Sequence, residues 1–114
     1  MFDRREKLSS LIKEVISECV QFRLKDPRVG MICITRVEMN RDKSIAKIFY
    51  SSFDDKKESS LEGLMNARGY MRTILGKEMK LKRIPDLRFY YDDSSEFVQR
   101  IRDIAGDSNK GKTE

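Results

Sequence analysis

The apolar residues in the first quarter of the chain recur at helical spacing. Within residues 4–24 they fall at offsets of 0, 3, 4, 7, 8, 11 and 12, which places them on one face of a helix. This stripe predicts an amphipathic helix that ends before Pro27, because proline lacks an amide proton and biases Asp26 away from helical geometry. The residues of the stripe are Leu8, Leu11, Ile12, Val15, Ile16, Cys19 and Val20.

Two segments with the pattern of β-strands follow this helix. In residues 31–39 the alternation changes near Thr35 and Arg36, which predicts either a bulge or a central strand that is buried on both faces. A polar turn over residues 40–44 separates this segment from a second strand over residues 45–53. The two strands are therefore predicted to form a hairpin with a loop of about five residues.

The next stretch predicts two helices that are separated by a kink. Ser59 and Glu62 have the spacing of a capping box, which indicates a helix start. Gly69 interrupts the helical pattern at a cost of about 1 kcal/mol relative to alanine, so it indicates a kink or a close approach. The second helix is predicted to end at Ile84 and Pro85. Its last part, which we call the basic exit, carries Lys77, Lys80, Lys82 and Arg83. The apolar residues of the two helices are Leu61, Leu64, Met65, Met71, Ile74, Leu75 and Met79.

A third strand and a last helix complete the pattern. Leu87, Phe89 and Tyr91 alternate with polar or aromatic neighbours as in a strand. Ser94 or Ser95 can cap a short C-terminal helix that carries apolar residues up to position 104. Residues 106–114 contain no large apolar side chain and are predicted to be a disordered polar tail, beyond a single domain over residues 1–105.

This element order predicts an α+β fold. The helices between the second and third strands form a crossover, so the third strand is expected to run parallel to a neighbouring strand. The pattern is best buried as a three-stranded mixed sheet with helices on one face.

Composition and charge narrow the function. The 114 residues are 39% apolar and 38% charged, and they contain no histidine, which removes the commonest general base and transition-metal ligand. There is no segment with the length of a membrane span and no secretory signal, so a cytoplasmic protein is expected. Cys19 and Cys33 lack metal-site spacing and are interpreted as reduced core residues. We therefore expect neither an enzyme nor a cofactor, and a small hydrolase, which would need a nucleophile and a base, is disfavoured.

The positive charge is concentrated in one region. Residues 67–91 hold 7 basic and 2 acidic side chains, whereas the segments on either side of this region are net acidic. A basic stripe of this kind is the electrostatic footprint of a phosphate backbone. The sequence therefore predicts a small RNA-binding domain.

Several short strings stand together in one order along the chain: residues 25–28, 34–38, 46–47, 67–72 and 84–89, together with Asp92. These strings resemble the bacterial ribosome-binding factor A family, whose fold is a type II K-homology (KH) domain. The resemblance covers residues 4–104 and implies a non-catalytic assembly factor that binds the small ribosomal subunit, assists late maturation of its ribosomal RNA and has a role in cold adaptation. A standard KH module has a GxxG loop between two helices. This chain has none, and Ala67, Arg68 and Gly69 stand at that place as in the resembled family.

The predicted RNA contacts centre on residues 67–83. At the kink, Gly69 would let RNA approach while arginines bind phosphate, and the alternative is a kink that only serves packing. The basic exit would bind phosphate, and the alternative is a solvated helix end whose cations suit the macrodipole. We expect a monomer that needs neither a membrane nor a small-molecule substrate. The predicted contact residues are Ala67, Arg68, Gly69, Arg72, Lys77, Lys80, Lys82 and Arg83, with Lys25 and Arg28 at the exit of the first helix.

Three further interpretations stay open. The outer face of the sheet could bind bases where Lys47 and Phe49 lie near Arg88 and Tyr90. The basic helix could instead dock on an acidic protein partner, which would make the chain a protein-interaction module. The acidic residues near the last helix could suggest a metal site, although helix capping is the favoured interpretation for Asp92, Asp93 and Glu96.

Overall fold

The computed structural model describes residues 4–53 and 57–92 as an α+β fold with three helices and a three-stranded mixed sheet, as predicted. The first helix, α1, continues into one π-helical turn at Cys19–Arg23 and ends at Leu24, ahead of Pro27. The predicted last helix and the tail lie outside the described residues. The elements are α1 (Arg4–Glu18), β1 (Ile32–Met39), β2 (Ile45–Ser52), α2 (Lys57–Asn66), α3 (Arg68–Met79) and β3 (Asp86–Tyr91).

The sheet has the order β1-β2-β3, with β1 antiparallel and β3 parallel to β2. The predicted bulge is present, because Ile34 pairs with Tyr50 and Arg36 pairs with Phe49, which leaves Thr35 as the extra residue. The predicted five-residue loop and the parallel third strand are confirmed as well.

The core lies between one face of the sheet and the three helices. Ile12 and Ile16 from α1 and Leu75 from α3 are fully buried, and they belong to one cluster with Ile48 and Leu87 of the sheet. Side chains with the opposite parity in the same strands point away from this cluster. The helices therefore cover one face of the sheet, as expected from the alternation along the strands.

Asp92 joins the bulge of β1 to the end of β3. Its carboxylate accepts a hydrogen bond from the Thr35 hydroxyl at 2.7 Å, and its backbone carbonyl accepts one from the Ser51 hydroxyl. Its own amide donates to the carbonyl of Tyr50. Asp92 is buried, and its hydrogen bonds connect the end of β3 to both β1 and β2.

The capping box predicted at Ser59 was wrong. The helix begins at Lys57, and the Ser59 hydroxyl donates to the carbonyl of Arg28 at 2.9 Å. Ser60 makes a similar bond to the carbonyl of Val29 at 2.6 Å. These two bonds connect α2 to the loop that follows α1. The Ser59 hydroxyl therefore bonds to the distant carbonyl of Arg28 and does not cap its own helix.

Gly63 makes this contact between α2 and the loop possible. A Cβ atom at this position would lie 2.7 Å from Val29 Cγ2 and 2.9 Å from the Val29 amide nitrogen. Because backbone is one of the two obstacles, the loop could not move aside cheaply. The close approach that the sequence predicted for Gly69 is thus found at Gly63, six positions earlier.

Candidate nucleic-acid interface

The kink between the helices is confirmed, but it lies at Ala67 and not at Gly69. Ala67 is the single residue between α2 and α3, and its amide is shared between the carbonyls of Gly63 and Leu64 at 3.1 and 3.2 Å. Its own carbonyl accepts from the Met71 amide at 3.0 Å. The backbone hydrogen bonds of the two helices therefore continue through the kink.

Gly69 lies on the open side of α3. It is exposed, and a Cβ atom at this position would meet no heavy atom within 4 Å. Among residues 4–53 and 57–92, no other part of the fold comes close to Gly69, which argues against the packing interpretation of this residue. Thr73 and Lys77 follow at intervals of four residues and are exposed as well, so they extend the same outward stripe.

Arg72 is held by the backbone that leads into β3. Its Nε donates to the carbonyl of Pro85 and its Nη2 donates to the carbonyl of Ile84, both at 3.2 Å. One turn further on, a Cβ atom at Gly76 would lie 2.7 Å from Ile84 Cδ1. The side of α3 that carries Arg72 therefore runs along the 84–85 segment, and the guanidinium group positions that segment.

The basic exit has a different shape from the one expected. The helix α3 ends at Met79, and Lys80 adopts a left-handed conformation with φ of 50° and ψ of 42°. The prediction that the helix continues to Ile84 was therefore wrong, and Lys80, Lys82 and Arg83 lie in a turn between α3 and β3.

The four cations of this exit are all exposed, and among the described residues none of them forms a direct ion pair. We call Lys77, Lys80, Lys82 and Arg83 the exit cluster. Within residues 4–53 and 57–92, none of the four forms an ion pair, although six ion pairs involving other cations are present. Hydrogen bonds from Ser44 are the main cause of the lowered pKa of Asp42, and the nearby charge of Arg83 contributes as well. The charges of the three lysines are therefore the ones most open to an external anion. Because Lys77 lies in the last turn of α3, it also suits the negative end of the helix dipole.

Arg28 and Lys25, the two predicted contacts after α1, differ in their surroundings. The Arg28 guanidinium makes three hydrogen bonds of 2.6 to 3.0 Å to the Asp26 carboxylate and one of 3.2 Å to Glu62. Hydrogen bonds from Arg28 lower the pKa of Asp26 below its usual value. Arg28 therefore clamps the loop to α2, whereas Lys25 is exposed and unpaired within the part of the chain that the structure describes.

The outer face of the sheet brings together the four residues that the alternation placed there. Lys47 pairs with Arg88 and Phe49 pairs with Tyr90 in the parallel register, as expected. The Phe49 and Tyr90 rings have centroids 5.6 Å apart and an interplanar angle of 30°. The Arg36 guanidinium lies 4.1 Å from the Phe49 centroid, a contact that only the bulged register of β1 creates.

Other classes of site find no support in the described residues. Across residues 4–53 and 57–92, the structure brings together no three Cys, Asp or Glu side chains that could hold a metal ion. Asp92 is engaged with Thr35 as described above, while Asp93 and Glu96 lie outside the described residues. No helix in the described ranges is long and apolar enough to cross a membrane.

Comparison with known proteins decides the family. The family model described as "Ribosome-binding factor A" matches residues 4–105. The chain belongs to the ribosome-binding factor A family. The resemblance seen in the sequence is thereby confirmed over nearly the same residues, and the chain is a ribosome-binding factor by family.

Individual members of the ribosome-binding factor A family agree with this assignment. The ribosome-binding factor A of Pelobacter propionicus is 38% identical over an alignment that covers 100% of this chain and 98% of that protein. A solution structure of a putative ribosome-binding factor A from Thermotoga maritima is 32% identical with a TM-score of 0.71, and the match covers 82% of this chain and 91% of that one.

A further solved structure shows the same fold. It is a Thermus thermophilus ribosome-binding factor A, a homology model fitted into a cryo-electron microscopy map of a 30S complex with that protein. It is 24% identical to this chain, covers 79% of it and 97% of its own length, and has a TM-score of 0.68.

Proposed function

We propose that this chain is a non-catalytic factor that binds the small ribosomal subunit through its ribosomal RNA and assists late maturation of that RNA in the cytoplasm. The resembled family adds a role in cold adaptation to the proposal. The observation that carries it is the exit cluster, whose four exposed cations form no direct ion pair among the described residues. The Thermus thermophilus relative, fitted into a map of its 30S complex, supports the choice of partner.

The chemistry of the proposed contact is electrostatic. Lysine and arginine side chains displace the counterions that are condensed on RNA and bind phosphate oxygens, with little information about base sequence. The exit cluster would supply most of these contacts, with Lys25 and Arg68 as further predicted ligands. Arg72 already donates to two backbone carbonyls and Arg28 already pairs with two carboxylates, so we assign both to positioning segments of the chain and not to binding phosphate.

The open stripe of α3 fits the shape of such a contact. No side chain of the described residues lies within 4 Å of a Cβ position at Gly69, so an RNA backbone could come close to the helix there. The stripe leads through Thr73 to Lys77, and from there to the turn that holds the other cations. Without a GxxG loop, this surface favours recognition of phosphates and shape over recognition of a short base string.

The experiment that tests the proposal is co-sedimentation of the full chain with purified small subunits over a series of salt concentrations. Binding of the natural chain should weaken with salt by a log-log slope of roughly 0.7 to 0.9 per phosphate contacted. Reversal of the whole exit cluster to glutamate should abolish binding at physiological salt. A matched control reverses four exposed cations of α1 (Arg4, Arg5, Lys7 and Lys13), which gives the same net charge and should bind far better.

Three outcomes would contradict the proposal. The first is that the natural chain does not bind small subunits even at low salt, and the second is that binding does not depend on salt. The third is equal loss in the two reversed variants, which would show that only net charge matters. Repeating the assay with protein-free small-subunit RNA separates RNA from an acidic protein partner, because a protein-interaction module would bind the subunit and not the free RNA.

A further inference from the structure

The outer face of the sheet carries a row of one cation and two aromatic rings. Arg36, Phe49 and Tyr90 are register partners across β1, β2 and β3. The Arg36 guanidinium covers the Phe49 ring, which in turn lies beside the ring of Tyr90. Tyr90 is 41% exposed and belongs to an edge strand, so much of its ring is accessible to a ligand.

A second row of charged residues runs beside the aromatic one. Lys47 stands between Glu38 and Arg88 in the register of the sheet, and it is exposed. Arg36 pairs with Glu38 at 3.7 Å, and Arg88 pairs with Asp86 at 3.5 Å. These pairs are exposed and long, so their net stabilisation is small and a phosphate could replace either carboxylate. Three cations face two carboxylates, and the face is therefore net positive.

The core does not account for this arrangement. The buried partners on β2 and β3, such as Ile48 and Phe89, point to the opposite face, where the helices cover them. The rings on the outer face thus contribute no contact to the main core. Exposed aromatic rings beside cations are the pattern by which proteins bind single-stranded nucleic acid, with bases stacked on rings and phosphates held by the cations.

We propose that this face binds an unpaired nucleobase of a single-stranded RNA segment, stacked on Tyr90, with the neighbouring phosphates on Lys47 and Arg88. The inference rests on the proposed function and adds a second contact surface to it, on the face opposite the helices. A base inside a duplex is already stacked on its neighbours, so duplex RNA would not gain this contact. The face would therefore distinguish single strands from duplexes, which the exit cluster does not.

The test measures binding of two fluorescent probes to the full chain at low salt: a short oligoadenylate, and the same strand paired with oligouridylate. Tyr90→Leu removes the flat ring but keeps an apolar side chain beside Phe49, so it should weaken binding of the single strand by about tenfold and leave duplex binding unchanged. Tyr90→Phe should restore single-strand binding to within about twofold. Phe22→Ala, which removes another exposed ring from the π-helical turn after α1 and not from the sheet, is the control and should leave both probes unaffected.

Several results would overturn this inference without touching the proposed function. They are unchanged single-strand binding by a folded Tyr90→Leu variant, equal weakening of both probes, and failure of Tyr90→Phe to restore binding. If Tyr90→Leu loses small subunits but not the oligonucleotide, the face contacts a ribosomal protein and the nucleobase proposal is wrong. Thermal unfolding of each variant confirms that it is folded. Failure of the natural chain to bind small subunits would instead overturn the proposed function itself.

Discussion

Two groups of cations in this chain carry the same charge in different surroundings. Arg28 lies against the carboxylates of Asp26 and Glu62, and Arg72 donates to two backbone carbonyls before β3. The exit cluster has no ion pair among the described residues. The first group holds two segments of the chain in place, and the second group presents its charge to solvent.

This difference shows what a charge profile along the sequence omits. A basic residue contributes to RNA affinity when it replaces counterions on phosphate, and a side chain that is already neutralised or fixed by the protein has less to offer. In a net charge summed from the sequence, each cation of either group contributes the same single positive charge. Only their partners, which lie up to 34 positions away in the case of Arg28 and Glu62, separate a positioning residue from a binding residue.

The largest expected effect is on stability when Arg72 is replaced by alanine. The change removes two charged hydrogen bonds and leaves the carbonyls of Ile84 and Pro85 without them, so we expect a loss of about 1 to 3 kcal/mol in the free energy of unfolding. Denaturant unfolding measures this loss. The matched control is Lys77→Ala in the same helix, which should change stability by no more than about 0.5 kcal/mol.

In an RNA-binding assay the order of the two effects should be reversed: Lys77→Ala should change the salt dependence of binding, and Arg72→Ala should not. Lys77→Ala is expected to reduce the salt dependence of binding by up to about 0.9 in log-log slope, since one phosphate contact is lost. Arg72→Ala should leave that slope unchanged under conditions where it is folded. If Arg72→Ala kept full stability and instead reduced the salt dependence of binding, Arg72 would bind phosphate like the exit cluster. That result would contradict its assignment as a positioning residue.

A smaller effect is expected from Gly69→Ala, which probes the open side of α3. A Cβ atom there meets no heavy atom within 4 Å in the part of the chain that the structure describes, and alanine favours helix over glycine, so stability should rise by up to about 1 kcal/mol. Binding to small subunits should weaken if RNA comes close at this position. Unchanged binding by the stabilised variant would show that Gly69 is not needed for close approach.

Much of the fold could be predicted because its signals are local. The change of alternation near Thr35 predicted either a bulge or a central strand, of which the bulge is present, and the polar stretch over residues 40–44 predicted the hairpin loop. The parallel third strand followed from the helical crossover, which is a general rule of connection. The family resemblance over residues 4–104 rested on strings that include Arg28 and Asp92, and both have structural partners in the fold.

What could not be predicted depends on contacts between distant parts of the chain. Ser59 matched a capping pattern, but its hydroxyl bonds to a carbonyl 31 positions away. Nothing near Gly63 in the sequence reveals that Val29 packs on it. The early end of α3 was missed because lysine gives no sign of the left-handed conformation that Lys80 adopts. The contact of Arg36 with Phe49 needed the strand register.

The smallest expected effect concerns the Asp26–Arg28 pair at acidic pH. Because hydrogen bonds from Arg28 lower the pKa of Asp26 in the folded chain, the pair stabilises the fold fully above the usual pKa of an aspartate and loses this contribution as pH falls through the lowered value. Asp26→Asn should therefore be less stable than the natural chain at neutral pH, and the gap should close in strong acid. Urea unfolding across that pH range measures the gap.

The double variant Asp26→Asn with Arg28→Ala provides the control for this pH effect. If Arg28 acts through Asp26, the two losses should not add at neutral pH, since each single change already breaks the same contact. A gap between Asp26→Asn and the natural chain that stays constant down to strong acid would contradict the assignment, because the charge on Asp26 would then not matter. In that case the loop would be held by Ser59, Ser60 and the close packing of Gly63 on Val29, and Arg28 would be free to join the exit cluster in binding phosphate.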